Sequence, residues 1–191
     1  VLAAALDAIG ETGPSGAGLR EIARRAGVSH ATVTHHFGDK VGVFTAVATD
    51  GFRLLGDELG AAAPGGFLEL GVAYVRFAVG HRAHFEVMFR PDLLRADDPA
   101  LLEARARTSR SLYGGASEIA PGRRADAMTV GVAGWSLVHG IAQLWLSGNL
   151  PAELGDDAEQ IARRVAVLLG PERVSPAATS RAAAARRRRS G

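Results

Sequence analysis

The sequence contains no cysteine. That excludes a disulfide framework and a thiolate metal site. Also missing are paired carboxylates at catalytic spacing, a nucleophile motif and a glycine-rich phosphate loop, so no common enzyme class is signalled. No signal peptide is visible, although Val1 is not a natural start. Gly and charged residues are expected to keep every apolar run below membrane-spanning length. A cytoplasmic protein with no membrane partner and no cofactor is therefore expected. Positive charge is scarce as well. The net charge is +2, but residues 172–191 hold six arginines against one glutamate, so the remainder is acidic. Residues 1–50 carry four cations against five acids. Global charge gives no argument for nucleic acid, and any such case must rest on local arrangement. The preference for Arg over Lys, with abundant Ala and Gly, points to a GC-rich genome and not to a function.

What is present is a short, highly organised stretch, Leu19 to Phe37. Leu19, Ile22, Ala23 and Ala26 fall on one face at the i, i+3, i+4, i+7 spacing of an amphipathic helix. Gly27 suits the left-handed backbone at a helix end. Val28 packs the turn, and Ser29 is an N-cap for a second helix. Val33 and Phe37, four apart, give that helix its buried side, and a side chain larger than Ala23 would hold the two helices apart. This is a helix-turn-helix pattern. With Val33 inward, Ala31 and His35 point outward, flanked by Thr32 and Thr34, with His36 at the edge. No acid stands among them. Slim polar side chains of this kind suit base edges and phosphates in a major groove. A solvated helix on an ordinary bundle would also carry them, and an Ala-Gly-Val turn arises by chance.

Residues 19–48 resemble the DNA-binding domain of the TetR family of bacterial transcriptional regulators. The Ile22–Ser29 run, then His35–Lys40, then the apolar start of a helix at Val41–Val47 carry the resemblance. It implies DNA contacts from Ser29, His30, Ala31, Thr32, Thr34, His35, His36 and Lys40. Lys40 matches the family's lysine at the start of a fourth helix, where helix N-terminus and side chain face the phosphates. Thr34 stands where the family usually has a phosphate-contacting tyrosine. The basic arm that often precedes the first helix is not visible.

Along the chain the fold class reads as all-α: a three-helix N-terminal helix-turn-helix domain and a C-terminal helical bundle for ligand binding and dimerisation. Leu2, Leu6 and Ile9 form a first apolar stripe, and Thr12–Gly18 reads as a Gly/Pro/Ser turn. Asp39 should cap a fourth helix running from about Lys40 to about Leu59 and linking domain 1–48 to domain 61–171. Ala61–Gly66 is the expected boundary. Phe67–Gly80 is apolar on several faces and so buried or cavity-lining. His81–Phe89 reads as a short helix stopped at Pro91, and Asp98-Pro99 starts another through Leu112. Arg105, Arg107 and Arg110 on it read as a solvated face. Arg123–Ser147 is the longest apolar helix; its Gly131, Gly134 and Gly140 each cost about 1 kcal/mol, which points to close backbone approach. Asp156 or Asp157 caps a last helix with the stripe Ile161, Val165, Leu168 and Leu169. The family resemblance implies that helices 123–147 and 157–169 pair with their copies in a homodimer. The tail, 172–191, reads as a mobile basic segment or as a weak, sequence-independent phosphate contact.

Trp135 and His139, four apart and followed by Gly140, resemble the WHG signature of one C-terminal subgroup of these regulators. They read either as a packed tryptophan with a satisfied core histidine or, with Phe77, Phe85, Met88 and Phe89, as the wall of an effector pocket. His81 and His84, three apart with Glu86 nearby, lack a third placed ligand and read as exposed helix-edge histidines, not a metal site. The resemblance implies a homodimeric repressor that leaves a double-stranded operator when a small molecule binds. The alternatives are a helical interaction module and a helical enzyme using His139 as base or haem ligand.

Overall fold

The computed structural model describes residues 1–119 and 126–167. The first residues of the expected long helix at Arg123, Leu168 and Leu169 of the last stripe, and the tail 172–191 lie outside that range. Among the described residues there are ten α-helices and no strand.

Helices α1 (Leu2–Gly16), α2 (Leu19–Arg25) and α3 (His30–Phe37) build the N-terminal unit. The Gly/Pro/Ser stretch is not the free turn expected from Thr12 onwards. The helix breaks at Gly13, at φ 69° and ψ 171°, and Pro14 opens a further short turn to Gly16. Proline tolerates that position because its missing N–H has no helical partner there. Ala4, Ala5, Ala8 and Ile9 of α1 are buried against Ile22, Ala23 and Val33. Gly27 takes a positive φ of 66°. The Val28 amide behind it donates to the Ala23 carbonyl at 3.1 Å, closing the turn.

Helix α4 (Lys40–Ala62) is capped by Asp39, whose Oδ1 accepts from the Gly42 amide at 2.8 Å. Its twenty-three residues run past the expected Leu59. It packs on α1 and α3, then on α5 (Gly66–Gly80), α6 (Arg82–Met88) and α7 (Pro99–Gly114). Val43, Phe44, Val47, Phe52, Leu55 and Leu59 form one continuous core with the C-terminal helices. Asp98 caps α7 through the Leu101 amide at 3.0 Å. The short α8 (Ala116–Ile119) follows, then α9 (Ala127–Leu146) and α10 (Ala158–Ala166). Asp157, not Asp156, caps α10, accepting from the Gln160 amide at 3.0 Å. Helix α5 is enclosed by α4, α9 and α10, which explains its apolar residues on several faces.

Helix α9 corrects the expectation about apolar runs. It is the one described helix long and apolar enough to cross a membrane by length and composition, because its twenty residues include no charge. Its glycines also divide into two kinds. A Cβ at Gly131 would lie 2.6 Å from the Tyr113 ring, and one at Gly134 would collide with the Phe67 ring. Gly140 meets nothing within 4 Å, so close packing inside this subunit does not account for it. Met128, Val132 and Leu144 of the same helix are exposed.

Candidate functional site

The first candidate surface is α3. Its N-cap Ser29 accepts from the Thr32 amide at 3.0 Å, and its Oγ lies 2.8 Å from Thr32 Oγ1. Val33 is fully buried, and this single anchor fixes the helix phase. Ser29, His30, Ala31, Thr32, Thr34, His35 and His36 are all exposed and share the outer surface. Thr34 donates its hydroxyl to the His30 carbonyl at 3.0 Å, so that proton is already committed within the helix. The His35 and His36 rings meet edge to face at 5.2 Å. Lys40 is half-buried. Its Nζ lies 5.0 Å from the Phe44 ring centre and donates to the Ser15 carbonyl at 3.3 Å, leaning back toward the end of α1.

The arginines of α2 are tied up. Arg24 pairs with Glu21 at 2.6 Å, and Arg25 pairs with Glu11 at 2.6 Å and Glu21 at 2.7 Å. Hydrogen bonds from Arg24 and Arg25 hold the Glu21 carboxyl down to about 2. Arg20, at the start of α2, is exposed and has no ion pair among the described residues. Sequence reasoning did not single it out, because separating paired from unpaired arginines needs the position of Glu11 on another helix.

A second residue that sequence reasoning missed is Arg95, in the loop between α6 and α7. Its Nη2 donates to the Phe37 carbonyl at 3.1 Å and to Asp39 Oδ1 at 3.0 Å. Its backbone amide donates to Thr45 Oγ1 at 3.0 Å. It therefore grips the C-terminal end of α3 and the N-cap of α4 together. Gly38, at φ 80°, and Gly42 leave room for it. A Cβ at Gly38 would lie 2.9 Å from Arg95 Nη2.

The second candidate site is a chamber of about 480 Å³ between α4, α5, α6, α7 and α9. Met88, Phe89, Trp135 and His139 border it as expected; Phe77 and Phe85 do not. Phe77 is fully buried and stacks on His81 at 4.9 Å, while Phe85 stands behind the chamber wall, 5.2 Å from the His139 ring and 6.1 Å from that of Tyr74. The wall also includes Phe52, Leu55, Tyr74, Arg105, Thr108, Leu112 and Tyr113. Arg105 is thus a correction: it is half-buried and borders the chamber, while Arg107 and Arg110 stay exposed. Trp135 Nε1 donates to Tyr74 Oη at 3.1 Å, and Tyr74 Oη lies 2.8 Å from His139 Nδ1. The Tyr74 oxygen accepts from Trp135 and pairs with His139 Nδ1, so the three side chains form one hydrogen-bonded chain. Burial holds the His139 imidazole below its ordinary value and pushes the Tyr74 hydroxyl up, so both stay neutral near pH 7. The packed-tryptophan and pocket-wall readings of this pair therefore describe the same residues.

His84 is buried and not at a helix edge: its Nε2 lies 3.1 Å from Asp50 Oδ2, while His81 lies 3.5 Å from Glu58. Among the described residues no group of three potential ligands is placed to hold a metal ion.

Comparison with known proteins agrees with this arrangement. Residues 1–47 match the family described as bacterial regulatory proteins, tetR family. Residues 67–169 match the tetracyclin repressor-like, C-terminal domain. No curated protein matches the chain. Among solved structures, a protein with unknown function from a Rhodococcus species is 28% identical, with 88% of this chain and 90% of that one covered and a TM-score of 0.72. The TetR family transcriptional regulator PfmR from Thermus thermophilus shares the fold at 20% identity and a TM-score of 0.66, over 88% of this chain and 95% of that one. The multidrug binding protein EbrR, complexed with imidazole, does so at 23% identity and a TM-score of 0.57, over 92% and 95%. With a helix-turn-helix at one end, a walled chamber at the other and family matches over both halves, the chain belongs to the TetR family of bacterial regulatory proteins.

Proposed function

We propose that this protein is a homodimeric repressor whose α3 helices read a roughly palindromic operator and are released when a small molecule fills the chamber. One observation carries the reading. The short segment from Met88 to Arg95 walls the chamber with Met88, Phe89 and Pro91, and at its far end holds Phe37 and Asp39. Filling the chamber and seating the recognition helix thus bear on one piece of backbone, which supports coupling between them; for a ligand that releases the protein, ligand and operator weaken each other reciprocally.

In this reading residues 1–48 are the DNA-binding domain, residues 61–171 the effector and dimerisation domain, and α4 joins them. His35, Thr32 and Ala31 face base edges. Ser29, His30, Thr34, His36 and Lys40 lie nearer the phosphates, with Lys40 giving up the Ser15 carbonyl to reach them. Trp135, His139 and Gly140 support assigning the C-terminal half to the WHG-bearing subgroup. The open side of Gly140 and the exposed Met128, Val132 and Leu144 support a helix–helix dimer contact along α9, with α10 beside it.

A gel shift at fixed salt, using duplex from the protein's own upstream region, tests the operator reading. Retarded duplex that needs two subunits is expected. A lone subunit with no duplex affinity at low ionic strength would overturn it.

A further inference from the structure

We propose that the chamber takes an organic anion: a flat apolar body among the aromatic rings, with a carboxylate on the Arg105 guanidinium. This rests on the chamber being the ligand site, as proposed above.

Of the residues that border the chamber, Arg105 is the one that carries a full charge, and no carboxylate borders it. Two residues further along α7, Arg107 holds Asp57 at 2.5 Å. Arg105 has no ion pair among the described residues. Its guanidinium lies over the Phe52 ring, 5.2 Å from the centre, and makes one long hydrogen bond, 3.4 Å, to the Met88 carbonyl. A guanidinium has five N–H donors in a fork that matches a carboxylate. Most of that fork is open here. A half-buried cation facing apolar walls is poorly solvated, and an anion that enters offsets that cost.

Helical phase adds a second donor. Arg105 and Ser109 are four apart and both border the chamber, so one turn of α7 offers a guanidinium and a hydroxyl side by side. Around them the surface is aromatic: Phe52, Tyr74, Phe89, Tyr113 and Trp135. Rings of this kind favour a flat apolar body over a flexible polar one. The occupied state also has a consequence for α6. A carboxylate that engages Arg105 competes with the Met88 carbonyl for it, and Met88 begins the segment that ends in the Arg95 grip on α3.

Three probes of the same ring system separate charge from apolar fit: naphthylacetate, naphthylethanol and naphthylethylammonium, titrated calorimetrically into the DNA-free full chain. The anion should bind at least about tenfold more tightly than the alcohol, with the ammonium weakest. Arg105→Gln should bring anion and alcohol to within about twofold by lowering the anion's affinity far more than the alcohol's, and Arg105→Lys should keep part of the preference. A purely structural role for Arg105 would lower all three affinities together, and that result overturns the assignment. Equal binding of alcohol and anion by the unaltered protein overturns it without any variant. Failure of all three to bind the unaltered protein overturns the chamber as a ligand site, which is the earlier reading.

Discussion

Thr34 is a departure with a structural consequence. Its hydroxyl is bonded to the carbonyl of His30, so in the proposed DNA complex it would serve as an acceptor or have to break that bond, whereas a tyrosine would extend past the helix surface. On the proposed reading the base-edge work falls to His35 and Thr32. His35→Ala should cost about 1–3 kcal/mol on the preferred operator and relax the preference at one base position, as read by anisotropy across a panel of operator variants. Equal loss on every variant would contradict base reading. Lys40→Ala should weaken all variants alike and lower the salt slope by about one. Protonation gives a further check. Burial holds His84 and His139 below the ordinary imidazole value of 6.5. As pH falls through 6.5 the unfolded chain takes up protons that these folded sites refuse, so stability is full above that value and declines below it. The melting temperature should therefore drop between about pH 7.5 and about pH 5.5, and His139→Gln should make the drop smaller. An unchanged drop in that variant removes His139 from the explanation.

Two glycine classes on α9 make a test at the level of the element. Gly131 and Gly134 face ring atoms of Tyr113 and Phe67, so alanine at either forces overpacking and should destabilise by about 1–3 kcal/mol in denaturant melts. Gly140 faces open space, so Gly140→Ala removes a helix penalty of about 1 kcal/mol within the subunit. If α9 pairs with its copy along that side, Gly140→Leu leaves the subunit folded yet shifts sedimentation toward the monomer. A dimer unaffected by leucine places the interface elsewhere. The loop after α6 is the other element with a defined job. Arg95→Ala should leave naphthylacetate affinity within about twofold in the absence of DNA, and should shrink the factor by which that probe weakens operator binding. An undiminished factor would mean that coupling runs through α4 instead.

For the whole molecule, α4 joins both units in one core, to which it contributes Phe44, Val47, Leu55 and Leu59 along its length. A helix shared in this way transmits a change of packing at one end to the other without needing a flexible hinge. The order of helices and the N-terminal caps were legible in the sequence because they follow local rules. Ser29, Asp39 and Asp98 are hydrogen-bonding side chains placed before apolar periodic runs, and each caps the helix it was expected to cap. The wall of the chamber was legible only in part. Met88, Phe89, Trp135 and His139 lie there, but Phe77 and Phe85 belong to the packing behind it, since an apolar ring on a buried helix can face a neighbour or a void with the same sequence signal.

Arg105 and His84 show where the division falls. Spacing and capping alone established the all-α class and the helix-turn-helix with its acid-free outer face, because propensity, capping and periodicity act within a few residues. The motif residues from Ile22 to Lys40 carried the family resemblance. Which arginine faces the chamber, which histidine is buried beside Asp50, and that Arg95 closes on the end of the recognition helix were decided by packing between helices far apart in the chain. There a rotation of one residue exchanges solvent for a partner, and only the tertiary structure fixes that rotation.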